Sequence, residues 1–176
     1  MIDLETLALV QDQNTSPEDL DRHCTNEDPF IRARIAANLN TSPETLVKLS
    51  KDDKVFVREF VAEHLNTPVD TLVELSNDED IVSWVAGNPN TPLKILNKLS
   101  LDDDVFVRIS ISVNPNITVG ILDKLSKDSD ENVRAAVAKN LKTPVEILKR
   151  LSQDENESVR EVTAENPNTP KLKILS

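Results

Sequence analysis

Residues 90–115 read NTPLKILNKLSLDDDVFVRISISVNP, and the rest of the chain repeats this pattern with substitutions. The asparagine that opens it recurs at positions 14, 40, 66, 90, 116 and 168, with Lys142 in one row. Successive positions are 26 residues apart, except for a spacing of 24 between positions 66 and 90. A fixed period of this length is typical of a repeat array, so the sequence predicts six tandem units and part of a seventh.

Each repeat carries two helical patterns separated by an acidic loop. Paired leucines such as Leu46 and Leu49 share one face of the first helix, and aliphatic residues four apart form the core stripe of the second. The second helix is predicted to end at an asparagine, or at His64 in one row, which suits a left-handed cap or a bond to backbone across the turn. A hydroxyl before proline predicts the start of the first helix, because it can accept a free helix N–H. These steps are Ser16-Pro17, Ser42-Pro43, Thr67-Pro68, Thr91-Pro92 and Thr143-Pro144.

Two helices of about eight to eleven residues cannot bury their apolar faces alone, so neighbouring units must stack. The sequence therefore predicts an all-α solenoid without β-sheet, as a single repeat domain over residues 1–176. Residues 1–13 are interpreted as an N-terminal cap helix. The repeats are 14–39, 40–65, 66–89, 90–115, 116–141 and 142–167, and 168–176 begin a seventh. The two-residue deficit of the third repeat is assigned to the loop between Asn77 and Ile81.

Composition narrows the classes of function. The chain is 38% hydrophobic with a formal net charge of −11, which indicates a folded acidic protein that repels phosphate backbones and attracts basic partners. Its one cysteine, Cys24, excludes an intramolecular disulfide and an all-cysteine metal site. No secretory signal is visible and no apolar run reaches the ~20 residues of a membrane span, so we expect a cytoplasmic location without membrane association.

The run Asn88-Pro89-Asn90-Thr91-Pro92, its near copy at Asn166 to Pro170, and the Val107-Arg108 step resemble the leucine-rich repeat variant family over residues 14–176. The resemblance implies a right-handed superhelix of units that each hold one α-helix and one 3₁₀-helix. The units here are slightly longer than is usual in the family, which leaves open whether the second element is α or 3₁₀. Some members carry a cysteine-ligated iron–sulfur module, but a single cysteine cannot supply one, so no cofactor is expected.

Arginine and aspartate each recur in one column. The arginines are Arg32, Arg58, Arg108, Arg134 and Arg160, and the aspartates are Asp52, Asp78, Asp102, Asp128 and Asp154. One interpretation is a ladder in which each arginine pairs with a loop carboxylate of its own or the adjacent unit. The other is an arginine stripe that contacts nucleic-acid phosphates. The ladder is favoured because acids accompany every arginine.

The loops between paired helices are acidic in every unit, most densely at Asp78-Glu79-Asp80 and Asp102-Asp103-Asp104. Loops of stacked units align, so these side chains are expected to form an acidic ridge. The structural explanation is that acids at the start of the second helix complement its dipole. The functional alternative is a docking strip for a basic protein.

The aromatic residues all lie in the first four repeats. Phe30, Phe56 and Phe106 share the column just before a core aliphatic residue, and Phe60 and Trp84 share another. The second column also accepts arginine, serine and alanine, so it is not deep core. Ordinary packing is the favoured interpretation, and a set of partly exposed anchors for a partner is the alternative.

The sequence carries no recognisable catalytic constellation. His23 and His64 fall in different units, and no phosphate-binding loop, paired metal-binding histidines or nucleophile elbow is present. We therefore predict a non-enzymatic scaffold, without metal, that binds a basic protein partner and is a monomer or weak oligomer. Nucleic-acid binding or modification through the arginine column is the alternative.

Overall fold

The computed structural model describes residues 3–170, and this part of the chain forms thirteen α-helices and no β-strand. Helix α1 (Leu4–Gln11) precedes six helix pairs. The first helices of the pairs are α2 (Pro17–His23), α4 (Pro43–Leu49), α6 (Val69–Leu75), α8 (Leu93–Leu99), α10 (Val119–Leu125) and α12 (Val145–Leu151). The second helices are α3 (Pro29–Ala37), α5 (Val55–Glu63), α7 (Val82–Gly87), α9 (Val105–Ser112), α11 (Glu131–Lys139) and α13 (Glu157–Glu165). The all-α prediction is confirmed, and both elements of every pair are α-helices.

The first helices and α7 are shorter than the eight to eleven residues that the sequence pattern predicted, whereas the other second helices fall within that range. The first helices have seven residues and the second helices six to nine. The difference arises because the residues at the ends of each pattern serve as caps: Ser50, for example, closes α4 with its own N–H bonded to the carbonyl of Leu46. The predicted helix of the seventh repeat lies almost wholly outside the described residues.

The chain divides between Pro92 and Leu93 into two compact units. In unit 1, α1, α3, α5 and α7 pack side by side in that order, and the first helices pack against them. The core of unit 1 is aliphatic, and its fully buried side chains include Val10, Leu20, Ile31, Leu46, Val57, Leu72 and Ile81.

Unit 2 repeats this arrangement with α9, α11 and α13 side by side, each packed on the first helix that precedes it. Its fully buried side chains include Leu96, Val107, Leu122, Val133, Leu148 and Val159. In both units the predicted leucine and valine columns therefore form the core.

Hydrogen bonds from asparagine side chains join consecutive repeats within each unit. Asn88, which ends α7, donates from Nδ2 to the carbonyls of Ala62 (2.7 Å) and His64 (3.2 Å), and its Oδ1 accepts the N–H of Asn90. Asn38 makes equivalent bonds one repeat earlier. The backbone at these asparagines is extended, with φ of −67° at Asn88. The predicted bond to backbone is thus confirmed, whereas the left-handed cap is wrong.

The hydroxyls before the prolines occupy two different positions of the repeat and have different roles. Ser16 caps α2 as predicted, since its Oγ accepts the N–H of Asp19 at 3.1 Å. The predicted cap is wrong for Thr67, whose hydroxyl instead donates to the carbonyl of Val61 at 2.5 Å, and Thr143 makes the same bond in its own repeat. The last carbonyls of a helix lack intrahelical partners, and a buried threonine beside them satisfies one.

The shortened third repeat loses residues from its second helix and not from its loop. Helix α7 has six residues, whereas the loop before it, 76–81, is one residue longer than the loops of the other repeats. The loop keeps its length because Asp78 fixes its turn, with one carboxylate oxygen accepting the N–H of Asp80 and the other accepting from Arg58. The deficit therefore falls between Asn77 and Ile81, as predicted, but it shortens the helix and not the loop.

Candidate partner-binding face

The arginine column forms a ladder with the aspartate column of the next repeat. Nε and Nη2 of Arg108 donate to the two carboxylate oxygens of Asp128 at 2.8 and 2.9 Å, and Nη1 donates to the carbonyl of Asp102 at 2.8 Å. The same pairing joins Arg32 to Asp52, Arg58 to Asp78, and Arg134 to Asp154. These four arginine side chains are only 10–15% exposed. The predicted ladder is confirmed for these four arginines, and its carboxylates come from the adjacent repeat. Arg160 donates to the backbone carbonyls of Asp154 and Glu155.

The ladder holds its carboxylates in the charged form. The Arg134 guanidinium lowers the pKa of Asp154 below its ordinary value, against the opposing effect of burial. Burial raises the pKa of Asp128, but hydrogen bonds from Arg108 and from the N–H of Asp130 outweigh it and leave the pKa lowered. These shifts belong to structural ion pairs, which hold the loops in place.

Much of the acidic sequence in the loops serves the turns. Asp104 caps α9 by accepting the N–H of Phe106 at 2.8 Å, and Asp102 accepts the N–H of Asp104 at 3.0 Å. Asp78 is held by Arg58, as described above. The side chains of Glu79, Asp80 and Asp103 are exposed, so only part of the predicted ridge is available to a partner.

Four of the five aromatic residues lie on one surface of unit 1. The residues at equivalent positions are Phe30, Arg34 and Ala37 on α3, Phe56, Phe60 and Glu63 on α5, and Trp84 and Gly87 on α7; we call them the aromatic face. Phe30 stacks on Phe56 with ring centroids 5.5 Å apart. Phe30 is 61% and Trp84 42% exposed, whereas Phe56 and Phe60 are half-buried. The structure therefore stacks Phe30 on Phe56, places Phe60 and Trp84 at equivalent positions of neighbouring helices, and leaves Phe30 largely and Trp84 partly exposed.

A shallow groove of about 220 Å³ opens on the aromatic face. Its lining consists of Ala37, Leu39, Phe60, Glu63, His64 and Leu65. Leu39 and Leu65 are 68% and 60% exposed although both are large and apolar. Sequence analysis missed these two leucines. The signal was a leucine in the position just before the marker residue, which Pro89, Pro115 and Pro167 fill in other repeats and Leu141 shares.

The corresponding surface of unit 2 is different. Phe106 is 71% exposed at the start of α9, but Asn132 and Ser158 occupy its position on α11 and α13. Ser110, Ala136 and Val162 occupy the positions equivalent to Phe60 and Trp84. Phe106 therefore belongs to a surface that has one aromatic side chain.

The net charge of the chain is confined to unit 1. Residues 1–92 hold 18 of the 31 acidic side chains and 7 of the 20 basic ones, which gives −11. Residues 93–176 hold 13 of each and are formally neutral. The aromatic face thus lies on a unit that attracts cationic partners.

Cys24 lies in the core of unit 1 and does not belong to the aromatic face. Cys24 is buried in the serine column, and burial, followed by the charge of Asp21, raises the pKa of its thiol. Within residues 3–170, no three His, Cys, Asp or Glu side chains are grouped to hold a metal ion. None of the helices in this range has the length and apolar character required to cross a bilayer.

Comparisons with known proteins agree with the architecture. The family model described as leucine rich repeat variant matches residues 55–80, which include α5 and α6. A solved structure of a leucine-rich repeat variant with a novel repetitive protein structural motif is 28% identical, with a TM-score of 0.65. The match covers 85% of this chain and spans 61% of the length of that one. No curated protein sequence matches. The resemblance to the leucine-rich repeat variant family and the helical repeat fold are confirmed.

Proposed function

We propose that this chain is a non-enzymatic scaffold that binds a protein partner on the aromatic face of unit 1. The supporting observation is that Phe30 is 61% and Trp84 42% exposed on a surface whose neighbouring helices also present Phe56 and Phe60. Large aromatic side chains that remain exposed in a monomer are the residues that dominate protein interfaces.

The construction of unit 1 favours recognition without rearrangement. Helices α3, α5 and α7 are held in register by the asparagine bonds and by the Arg32–Asp52 and Arg58–Asp78 pairs. A preorganised surface loses little conformational entropy on binding, which raises affinity for a given set of contacts. A cytoplasmic location and a monomeric or weakly oligomeric state remain part of the proposal.

Nucleic-acid binding through the arginine column is the less favoured function. In each of the four pairs the guanidinium already donates to a carboxylate and to a backbone carbonyl, as Arg134 does to Asp154 and Asp128. A phosphate would have to displace a carboxylate from a largely buried pair. The charge of unit 1 also opposes the approach of a polyanion.

Selection from a displayed random peptide library tests the proposal. Peptides enriched on the wild-type protein are measured against Trp84→Ser and, as a matched control in unit 2, Phe106→Ser. We expect Trp84→Ser to weaken binding at least about tenfold, because a central aromatic anchor contributes that much or more, and Phe106→Ser to leave it unchanged. Enriched peptides that bind both variants as tightly as wild type would exclude the aromatic face, and the absence of enrichment over an unrelated acidic protein would exclude the function.

A further inference from the structure

We propose that the groove on the aromatic face receives a basic amphipathic helix of another protein. One large apolar side chain of that helix enters between Leu39, Phe60 and Leu65, and its Lys or Arg residues lie beside Glu63. This inference rests on the proposed function and adds the chemistry and secondary structure of the partner.

The size of the groove indicates one side chain as its occupant. Sites for drug-sized ligands measure about 300–1,000 Å³, and a groove of about 220 Å³ falls below that range. Its walls are apolar at Leu39, Phe60 and Leu65, with Ala37 beside them. A Leu, Met or Phe side chain would cover leucine surfaces that are now 60–68% exposed, and removing them from water favours binding.

The secondary structure of unit 1 favours a helical partner. Extended peptides are usually held by main-chain bonds to the free edge of a β-sheet. The described residues of this unit contain no strand, so they offer no such edge. An amphipathic helix uses side chains alone, inserting its apolar face into a groove between helices.

The charge around the groove favours a basic sequence. Glu63 lines it and is exposed, and among residues 3–170 no cation pairs with it within ion-pair distance. Arg34 is the one basic side chain of the aromatic face, but it does not line the groove. The net charge of −11 on unit 1 adds long-range attraction for a cationic helix.

Fluorescence anisotropy with two labelled probe peptides tests this inference on the full chain. Both peptides are about four helical turns long and carry leucines on one face; the other face holds lysines in one peptide and glutamates in the second. We expect the lysine peptide to bind and the glutamate peptide to bind at least about tenfold more weakly. Equal binding of the two peptides would overturn the requirement for a basic partner.

Two matched pairs of variants place the site. Leu65→Asn is compared with Leu141→Asn, since these leucines occupy the same position of their repeats and are 60% and 67% exposed. Glu63→Lys is compared with Glu165→Lys, an equivalent exposed acid in unit 2, so that the change in net charge is identical. We expect Leu65→Asn and Glu63→Lys each to weaken binding at least about fivefold, and the unit 2 variants to change it less than about twofold.

The outcomes separate this inference from the proposed function. Equal losses in Glu63→Lys and Glu165→Lys, with no loss in Leu65→Asn, would show attraction by net charge alone and would overturn the groove assignment. If the lysine peptide does not bind, the inference is wrong, and the proposed function is still decided by the displayed peptides. Neutral or acidic peptides that depend on Trp84 would retain the binding face and exclude a basic partner.

Discussion

His64 replaces the asparagine of its column and keeps the pattern of bonds. Its Nδ1 accepts the N–H of Asn66 at 3.0 Å, so Nε2 carries the proton and donates to the carbonyl of Asn38 at 2.9 Å. The ring is 7% exposed, which leaves these groups little access to water. One imidazole therefore closes its own turn and joins two repeats, as the amide of Asn88 does.

Substitution of His64 should separate these bonds from simple packing. We expect His64→Ala to lower the free energy of unfolding by about 2 kcal/mol, because a partly buried N–H and a buried carbonyl both lose their partner. His64→Asn should retain most of the wild-type stability, since it restores the side chain used in the other repeats. Urea unfolding measures both values. Equal destabilisation by the two variants would contradict a role for the hydrogen bonds.

For single residues, the sequence predicted which positions recur in each repeat better than it predicted which groups their side chains bond. The position of each asparagine was visible, but the carbonyls of the preceding repeat that it bonds were not. The threonines show the reason. Thr67 can accept an N–H ahead of it or donate to a carbonyl behind it. It donates to Val61 because α6 starts only at Val69, after Pro68, so Thr67 lies one residue before the position that caps the helix.

The ladder connects one structural element to the next. Asp154, in the loop before α13, pairs with Arg134 on α11, and their side chains are 9% and 10% exposed. Asp154 also accepts the N–H of Asn156, so one carboxylate fixes its own loop and attaches that loop to the preceding repeat. The pair thus supports the contact between α11 and α13.

Acid should weaken this connection. The pKa of Asp154 in the folded chain lies below the ordinary value of 3.8, so its contribution to stability is complete above that pH and is lost as the pH falls through the folded value. Asp52 and Asp128 are shifted in the same direction. We expect the unfolding free energy to be level from neutral pH to about pH 5 and then to fall steeply.

Asp154→Asn provides the control for the acid experiment. We expect this variant to be about 2 kcal/mol less stable than wild type at neutral pH and to approach wild type as the pH falls through the lowered folded pKa of Asp154, because the carboxylate then becomes protonated. Urea unfolding across the pH series gives the difference. A gap of the same size at both ends of the series would show that the charge of Asp154 contributes nothing.

Helix α7 shows how far elements can be predicted from sequence. The two-residue deficit was located correctly between Asn77 and Ile81, but not its effect on the helix. The turn held by Asp78 preserves the loop, so α7 starts late, at Val82. The groove was hidden for a related reason: Leu39 and Leu65 precede ordinary marker asparagines, and their exposure depends on how α3 and α5 end.

For the whole molecule, the distribution of charge along the chain affects folding stability more than the net charge does. The net value of −11 was evident in the sequence, but its confinement to residues 1–92 became meaningful only with the division after Pro92. Self-repulsion of like charges opposes the compact state. Unit 1 therefore folds against an electrostatic cost that the formally neutral unit 2 does not have.

Salt should reduce the repulsion between acidic side chains in unit 1 and have little effect on unit 2. Raising NaCl from about 20 mM to about 0.5 M shortens the screening length from roughly 20 Å to under 5 Å, which suppresses repulsion between exposed acids. The ladder pairs, 10–15% exposed at their arginines, are screened much less in both units. We expect hydrogen exchange to show increased amide protection in residues 3–92 and little change in 93–170. An equal increase in both ranges would point to a general salt effect on folding and would contradict the electrostatic cost assigned to unit 1.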